Sequence, residues 1–361
     1  MNPSAASQLE YQTGQYRRVA PGQMGDNLSG METLDLSAAE PTPTAHLKLV
    51  PGNGPQHGFQ SLLNFAVRLK LAPSQAAWVP STARGNAWQL GTHKKGLPIE
   101  LQLPRQHGVV LILEMARTQA NEQFDQPVIL SINGHEWWLE IDPQNLKFYK
   151  QSWYLPHYLM QPGVNVLSLR LAPEATTDVL VKAASVMRFE IEQQKRGNWC
   201  WAAVTNSLLS FFDSENGMTQ CEIVKECFSV TPGYETATDC CQHSGRTECN
   251  RDYELDQALD LMQLRASCCN YPLTLDEIRE QINQGVPVAA RIAWRGGGRH
   301  FVVITAVVTD PKDDNQTWLR VANPKDQAAS YISYQTFVTR YQGSGEWTHS
   351  YLFEKQRNSE A

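Results

Sequence analysis

The chain has 361 residues and a formal net charge of -6. Single hydrophobic cores stop growing near about 250 to 300 residues, so this length predicts two domains. The charges are of mixed sign and form no basic stripe, which argues against a nucleic-acid partner. No run approaches the roughly 18 consecutive apolar residues of a membrane span.

Residues 1–45 are rich in Ser, Ala, Gln, Gly and Pro and show no sustained hydrophobic period. We interpret them as a mobile leader. The first thirty residues lack the charged start and apolar core of a signal peptide. Three alternatives follow: the protein stays inside the cell, leaves by a route that does not read such a signal, or has been processed.

The region 46–190 is strand-like throughout and is predicted to be an antiparallel β-sandwich accessory domain. Its clearest runs are 109–115, 128–132, 135–141, 164–171 and 179–191. Asn133-Gly134 stands between the second and third runs, and the tolerance of these residues for positive φ predicts a two-residue hairpin turn.

The strands at 163–169 and 179–191 resemble those of the jelly-roll modules that accompany secreted hydrolases and bind carbohydrate. This resemblance implies a carbohydrate or protein ligand for the N-terminal domain. Two interpretations of the aromatic side chains in this region stay open: a sugar-stacking face, or plain core packing. These aromatic residues are Trp137, Trp138, Trp153 and Tyr154.

Cys200 stands where an apolar, helix-periodic run begins, so it is predicted to lie in the first turn of a helix. The positive end of the helix dipole and the unpaired N–H groups there favour a thiolate, so we expect a lowered thiol pKa and a nucleophilic cysteine. The alternative is a buried small hydrophobe on a core helix.

The segment resembles the papain-like cysteine peptidases, in which a glutamine stands six positions before the nucleophile and a tryptophan follows it. Here these residues are Gln194, Cys200 and Trp201. The residues 199–203 are most similar to the compact bacterial branch related to the AvrRpt2-type and bacteriocin-processing peptidases. Gly197 departs from the plant and lysosomal branch, which has a cysteine there.

This resemblance, over about residues 190–355, implies an α+β papain-like domain, assigned to 191–361. It implies hydrolysis of peptide bonds with no metal or organic cofactor, and a protein or peptide substrate. It also implies that the side-chain amide of Gln194 helps to bind the oxyanion and that Trp201 contributes to substrate binding.

A thiolate nucleophile needs a base, and His300 is the best placed histidine of this half. A glycine loop leads into the apolar strand that His300 begins, so the imidazole should project beside a loop, containing Gly297 and Gly298, that a substrate backbone can approach. His243 lies in the cysteine-rich loop, where a metal or structural role competes, and His349 lies in a closing strand. A surface histidine is the alternative for His300.

The third member of a triad accepts a hydrogen bond from the imidazole and holds its tautomer, a task for Asn or Asp after the next strand. Asn323, in the run Leu319–Asp326, supplies this group. A turn asparagine before proline is the alternative, and Asp326 is the reserve candidate.

All eight cysteines lie in the second half of the chain, which itself indicates a domain boundary. Without Cys200, seven remain between positions 221 and 269, enough for up to three disulfides with one thiol left over. A zinc cluster is the alternative, but no clean pair of CxxC motifs is present. The papain-like resemblance implies that Cys227 is bridged and that the cysteines from Cys240 to Cys269 staple the loops.

The sequence therefore predicts a cysteine protease that acts through an acyl-enzyme, and disulfides would suit a bacterial effector or toxin that is exported without a signal peptide. Two other hypotheses stay open. One is a transglutaminase or deamidase with the same triad, and the other is a catalytically idle glycan-binding or protein-binding module.

Overall fold

The computed structural model of the chain describes residues 31–35, 68–71, 77–79, 87–90, 97–103, 106, 108–119, 128–139, 141, 146–213, 216–235, 239–310 and 313–354. The first part of the chain is built from β-strands. In chain order these are β1 Met31–Asp35, β2 Arg68–Leu71, β3 Ala77–Val79, β4 Ala87–Gln89, β5 Leu97–Leu103, β6 Val109–Arg117, β7 Val128–Ile132, β8 His135–Leu139, β9 Tyr149–Leu155, β10 Gly163–Leu171 and β11 Val179–Met187.

These strands form two antiparallel sheets. One has the order β3-β4-β11-β6-β9, with β1 also paired to β11, and the other has the order β2-β5-β10-β7-β8. Alternate residues of both sheets, such as Leu113 and Val181 of the first and Leu130 and Leu167 of the second, belong to one buried apolar cluster. The prediction of a largely β first part is confirmed, and the jelly-roll-like sandwich stays a prediction.

The Asn133-Gly134 turn is confirmed. Both residues have positive φ, 48° and 89°, and Ile132 pairs with His135 across the hairpin. Type I′ geometry of this kind matches the twist of the flanking strands.

Strand β1 was not expected, because Met31–Asp35 lie inside the predicted mobile leader. The five residues pair antiparallel with 183–187 of β11. The physical reason is that an added strand is held by backbone hydrogen bonds, which need no hydrophobic period in the sequence. The rest of the predicted leader lies outside the described residues.

Helices and a single sheet make up the second part of the chain. The helices are α1 Cys200–Phe212, α2 Gln220–Ser229, α3 Leu255–Leu261, α4 Leu275–Asn283 and α5 Tyr334–Arg340. The strands are β12 Ala266–Cys269, β13 Val288–Trp294, β14 Arg299–Asp310, β15 Asp313–Asn323, β16 Ala328–Ser333 and β17 Gly345–Phe353, in the order β12-β17-β13-β14-β15-β16.

Helix α1 is buried on nearly all sides, and it contacts α2, α3 and β14. Its first residue therefore lies against the sheet, at the start of β14. Helices α2 and α4 begin with capping boxes, Thr219 with Glu222 and Thr274 with Glu277, which satisfy the first free N–H groups. Helix α1 has no side-chain cap.

The two parts contact each other through strand β9. Ser152 donates a 2.6 Å hydrogen bond to Asn283 of α4, and the hydroxyl of Tyr331 donates one of 2.6 Å to that of Tyr154. Trp137, Trp153 and Tyr154 are at most 3% exposed. Of the four aromatic residues considered for sugar stacking, these three are therefore core residues, and Trp138 is half-buried.

No helix within the described residues is long and apolar enough to cross a membrane. Among those same residues, no group of three or more His, Cys, Asp or Glu side chains is placed to hold a metal ion.

Candidate active site

Cys200 is the first residue of α1 and is 6% exposed. The backbone N–H groups of Phe301, Trp201 and Cys200 itself act on the thiol in the direction that lowers its pKa. Phe301 follows His300 directly, so the fold brings Cys200 and His300, the predicted nucleophile and base, into the same region of the domain.

The expected lowering of the Cys200 pKa is not found in the structure. Burial raises the pKa of the thiol to about 11, and the three backbone N–H groups, which favour the thiolate, offset only part of that increase. The carboxylate of Asp252 also raises this pKa. The sequence showed the helix start but not how deeply the thiol is enclosed.

His300 and Asn323 form a buried hydrogen-bonded pair. The distance from His300 Nε2 to Asn323 Oδ1 is 2.8 Å, and the two residues are 8% and 4% exposed. They are held side by side because β14, in which His300 is the second residue, pairs antiparallel with β15, which ends at Asn323. An amide oxygen accepts, so this bond places the ring hydrogen on Nε2 and leaves Nδ1 able to take a proton.

The amide of Asn323 is itself fixed in orientation. Its Nδ2 donates to Asp326 Oδ2 at 3.0 Å, and its Oδ1 accepts from the Lys325 N–H at 3.0 Å. Since the carboxylate can only accept from the amide nitrogen, Asp326 directs the amide oxygen toward His300. Asp326, the reserve candidate for the third member of the triad, thus accepts a hydrogen bond from Asn323.

Burial lowers the pKa of His300, and the hydrogen bond to Asn323 acts in the opposite direction. A neutral imidazole is therefore favoured near pH 7. The thiol of Cys200, whose pKa is raised to about 11, is also neutral at that pH.

The backbone of Gln194 reaches the same place, because its N–H donates to Pro324 O at 2.8 Å. Its side chain does not present a free amide, however. Nε2 donates to Arg196 O and Gly197 O, each at 2.8 Å. Arg196 O also accepts the Trp199 N–H at 3.1 Å, so the Gln194 amide adds a second hydrogen bond to a carbonyl of the turn before α1.

Trp201, which the resemblance assigned to substrate binding, is fully buried and does not reach the surface. Its ring packs against Phe228 and Tyr253, and its Nε1 donates to Arg251 O at 3.2 Å. The position after Cys200 on α1 therefore faces the core rather than solvent, and contact of Trp201 with a substrate stays a prediction.

Gly297 and Gly298 form the exposed turn between β13 and β14, two to three residues before His300. Both have φ of +89°, in the region that favours glycine. The turn is closed by hydrogen bonds of Trp294 with Gly298 and Gly297. Contact of these glycines with a substrate stays a prediction.

His243 and His349, the other two histidines of the second half, lie outside the pair formed by His300 and Asn323. His349 is in β17, with its Nε2 3.3 Å from Arg291 Nη1, and His243 lies 3.9 Å from the carboxylate of Asp239 in the loop before α3.

Two contributors to the site were missed by the sequence analysis. The Trp294 ring stacks on His300, with centroids 6.5 Å apart and planes at 28°. Arg299 binds Asp252 at 2.8 Å and also Glu254, which ties the segment before α3 to the start of β14. The register of the β13–β14 hairpin could have indicated the contact of Trp294 with His300, because Ile292 pairs with His300 and Trp294 lies two residues further along β13.

The cysteines form two disulfides, Cys221–Cys241 and Cys240–Cys249. Cys200, Cys227, Cys268 and Cys269 are free. The bridge implied for Cys227 is wrong: this residue lies on the inner face of α2 and is fully buried among apolar side chains, whereas Cys221 lies in the first turn of the helix and is bonded to Cys241. Cys268 and Cys269 lie in the edge strand β12 as free thiols and form no disulfide that would cross-link the loops.

Residues 182–342 match the family model described as papain-like cysteine protease AvrRpt2. This range is less than half of the chain and contains Gln194, Cys200, His300 and Asn323. The predicted resemblance is confirmed, and the second part of the chain is a papain-like cysteine peptidase domain, a hydrolase. No curated protein matches the chain.

Several solved structures are similar to part of the chain. A carbohydrate-binding module CBM36 in complex with calcium and xylotriose is 14% identical, with 33% of this chain and 92% of that chain covered and a TM-score of 0.25. A family 35 module from Clostridium thermocellum is 10% identical, with coverage of 33% and 91% and a TM-score of 0.25. CBM35 from Cellvibrio japonicus Abf62 is 14% identical, with coverage of 34% and 93% and a TM-score of 0.25. At these TM-scores the likeness carries no conclusion about this chain.

Proposed function

We propose that the chain is a protease in which Cys200 is the nucleophile, His300 its base and Asn323 the group that orients the histidine. One observation carries the proposal. His300 is hydrogen-bonded to Asn323 at 2.8 Å and directly precedes Phe301, whose backbone N–H acts on the Cys200 thiol. A nucleophile, a base beside it and a third group holding that base are the parts that acyl transfer needs.

The chemistry begins from a neutral thiol and a neutral imidazole. His300 takes the thiol proton on Nδ1 as the sulfur of Cys200 attacks the substrate carbonyl carbon, forming a C–S bond. The tetrahedral intermediate collapses with cleavage of the C–N bond, and His300 returns the proton to the leaving amine. Water then attacks the thioester with His300 again as base, which releases the acid product and restores the thiol.

The developing oxyanion needs hydrogen-bond donors that are already in place. The Cys200 N–H, at the free N-terminal end of α1, is one such donor. We assign the second donor to the side-chain amide of Gln194. In this role Nε2 turns away from Arg196 O and Gly197 O, which it bonds in the absence of substrate.

The substrate is a protein or peptide, and the exposed turn at Gly297 and Gly298 is proposed to contact its backbone, since glycines allow close approach. The remaining parts of the proposal are a leader at 1–45, a jelly-roll-like sandwich at 46–190 that binds a carbohydrate or protein ligand, and the peptidase domain at 191–361. The two disulfides support export of the protein as a bacterial effector, because such bonds persist in oxidising compartments.

The test is product analysis by mass spectrometry after incubation of a denatured protein substrate with the enzyme and a primary amine. Peptides with new termini are expected from the wild type and not from Cys200→Ala or His300→Ala. Cys268→Ala is the matched control, because this exposed thiol lies in the same domain and away from α1, and it should keep full activity.

Two results would overturn the proposal. Glutamine side chains converted to glutamate or coupled to the amine, with no new termini, would establish a deamidase or transglutaminase. Equal cleavage by Cys200→Ala would exclude Cys200 as the nucleophile.

A further inference from the structure

A short segment, Cys249–Arg251, makes hydrogen bonds to the residues on both sides of Cys200. We call it the bracing segment. The Asn198 N–H donates to Asn250 Oδ1 at 3.0 Å, and Asn198 Nδ2 donates to Asn250 O at 2.7 Å. The indole N–H of Trp199 donates to Cys249 O at 2.7 Å, and that of Trp201 donates to Arg251 O at 3.2 Å.

These bonds hold the residues around the start of α1, which has no side-chain cap. The N-cap residue, Trp199, offers no side-chain acceptor, and its own ring is fully buried. The loop that leads to Cys200 is therefore held from outside the helix, chiefly through the two hydrogen bonds that Asn198 donates to Asn250. A side-chain cap would bond the first free N–H groups of the helix, whereas these bonds hold the residues on either side of Cys200.

The bracing segment is itself anchored at both ends. The Cys240–Cys249 disulfide holds one end. At the other, the Arg251 guanidinium lies 3.7 Å from the centroid of the Tyr234 ring and donates to Gly233 O at 2.8 Å. Asp252 follows and accepts from Arg299, the residue before His300. One continuous segment thus connects the loop of the nucleophile with the strand of the base.

We propose that Asn250 is a positioning residue that fixes the distance and direction of the Cys200 thiol relative to His300. The inference rests on the proposed function and deepens it. Asn250 acts through Asn198 and the loop before α1, and it contacts none of the reacting atoms. A displacement of about 1 Å at a catalytic centre lowers turnover by up to about 100-fold.

The experiment compares the full-length wild type with Asn250→Ala and Asn250→Asp on a peptide that the wild type cleaves. Asn250→Ala should lower kcat by about 10- to 100-fold with KM changed less than about 3-fold, because the alignment of the thiol and imidazole is affected and substrate contacts are not. Asn250→Asp keeps an oxygen acceptor for the Asn198 N–H, so it should recover kcat to within about 5-fold of the wild type.

Asn283→Ala is the matched control. Asn283 is also half-buried and accepts one side-chain hydrogen bond, from Ser152, but it lies at the end of α4. The Asn283→Ala variant should lower the melting temperature about as much as Asn250→Ala does, and its kcat should stay at the wild-type value. An unchanged kcat in Asn250→Ala, an equal loss in Asn250→Asp, or an equal loss in Asn283→Ala would overturn the positioning role.

A second readout separates this inference from the proposed function. The alkylation rate of Cys200 by iodoacetamide, followed by peptide mass mapping, needs no turnover. If the wild type fails to cleave peptides, the proposed function fails, while a several-fold change in Cys200 alkylation in Asn250→Ala alone would still show that Asn250 positions the thiol. Unchanged alkylation would refute the positioning role independently of the protease assay.

Discussion

Removal of the Cys240–Cys249 disulfide should destabilise the peptidase domain by an amount that the structure allows us to work out. The bond joins residues nine positions apart. In the chain-entropy description, closing a loop of about ten residues removes about 2.7 kcal/mol of conformational freedom from the unfolded state. The double variant Cys240→Ser with Cys249→Ser should therefore raise the unfolded fraction of this domain by about 100-fold.

Cys227 provides a reporter that is specific to this domain. Its free thiol is fully buried in the core, and burial raises its pKa to about 12, so it reacts only when the domain opens. Pulse alkylation under native conditions, with mass mapping of Cys227, measures how often opening occurs. The rate should rise by about 100-fold in the double variant if closing is faster than labelling.

The exposed thiol of Cys268 is the internal control, and its labelling rate should stay constant. An unchanged Cys227 rate would refute the reasoning, because it would mean that the disulfide does not restrain the unfolded chain of this domain. Equal increases at both cysteines would point instead to a general change in the sample.

Three further predictions concern the chemistry of the site. Because burial raises the pKa of Cys200 to about 11 and lowers that of His300, the alkylation rate of Cys200 should rise about tenfold per pH unit from pH 7 to 10. Asn323→Ala should lower kcat by about 10- to 100-fold, since the imidazole loses its acceptor and its fixed tautomer, with Asn323→Asp less affected. Asp326→Ala should lower kcat by about 3- to 10-fold, because the Asn323 amide is then free to rotate.

Each of these three predictions can be contradicted by a measurement. An alkylation rate already constant between pH 6 and 8 would show that the resting site holds a thiolate and an imidazolium instead of two neutral groups. Steady-state kinetics with full activity in Asn323→Ala would remove this residue from the site, and full activity in Asp326→Ala would show that the amide is held without the carboxylate.

The sequence carried enough local information for the β-hairpin at Asn133-Gly134 and for the helix that starts at Cys200, because both depend on neighbouring residues. The pairing of His300 with Asn323 was also foreseeable, since a base at the start of one strand and an amide at the end of the next are adjacent in an antiparallel hairpin. These features need no knowledge of distant contacts.

Other features depend on contacts between distant segments and could not be read from local patterns. The depth at which Cys200 is enclosed sets the sign of its pKa shift, and that depth comes from the packing of α1 on β14. The choice of Cys221 over Cys227 as the bridged residue depends on which face of α2 meets the loop at 239–250. The bracing role of Asn250 depends in the same way on a loop 52 positions from Asn198.

The most direct test of the account is the reaction of the full-length protein with a peptidyl epoxide, measured by intact mass and peptide mapping. The account predicts one adduct, on Cys200, that is absent in Cys200→Ala and strongly slowed in His300→Ala, with no labelling of Cys268 or Cys269. Labelling spread over the other free thiols, or an equal rate in His300→Ala, would contradict the claim that Cys200 and His300 act together as nucleophile and base.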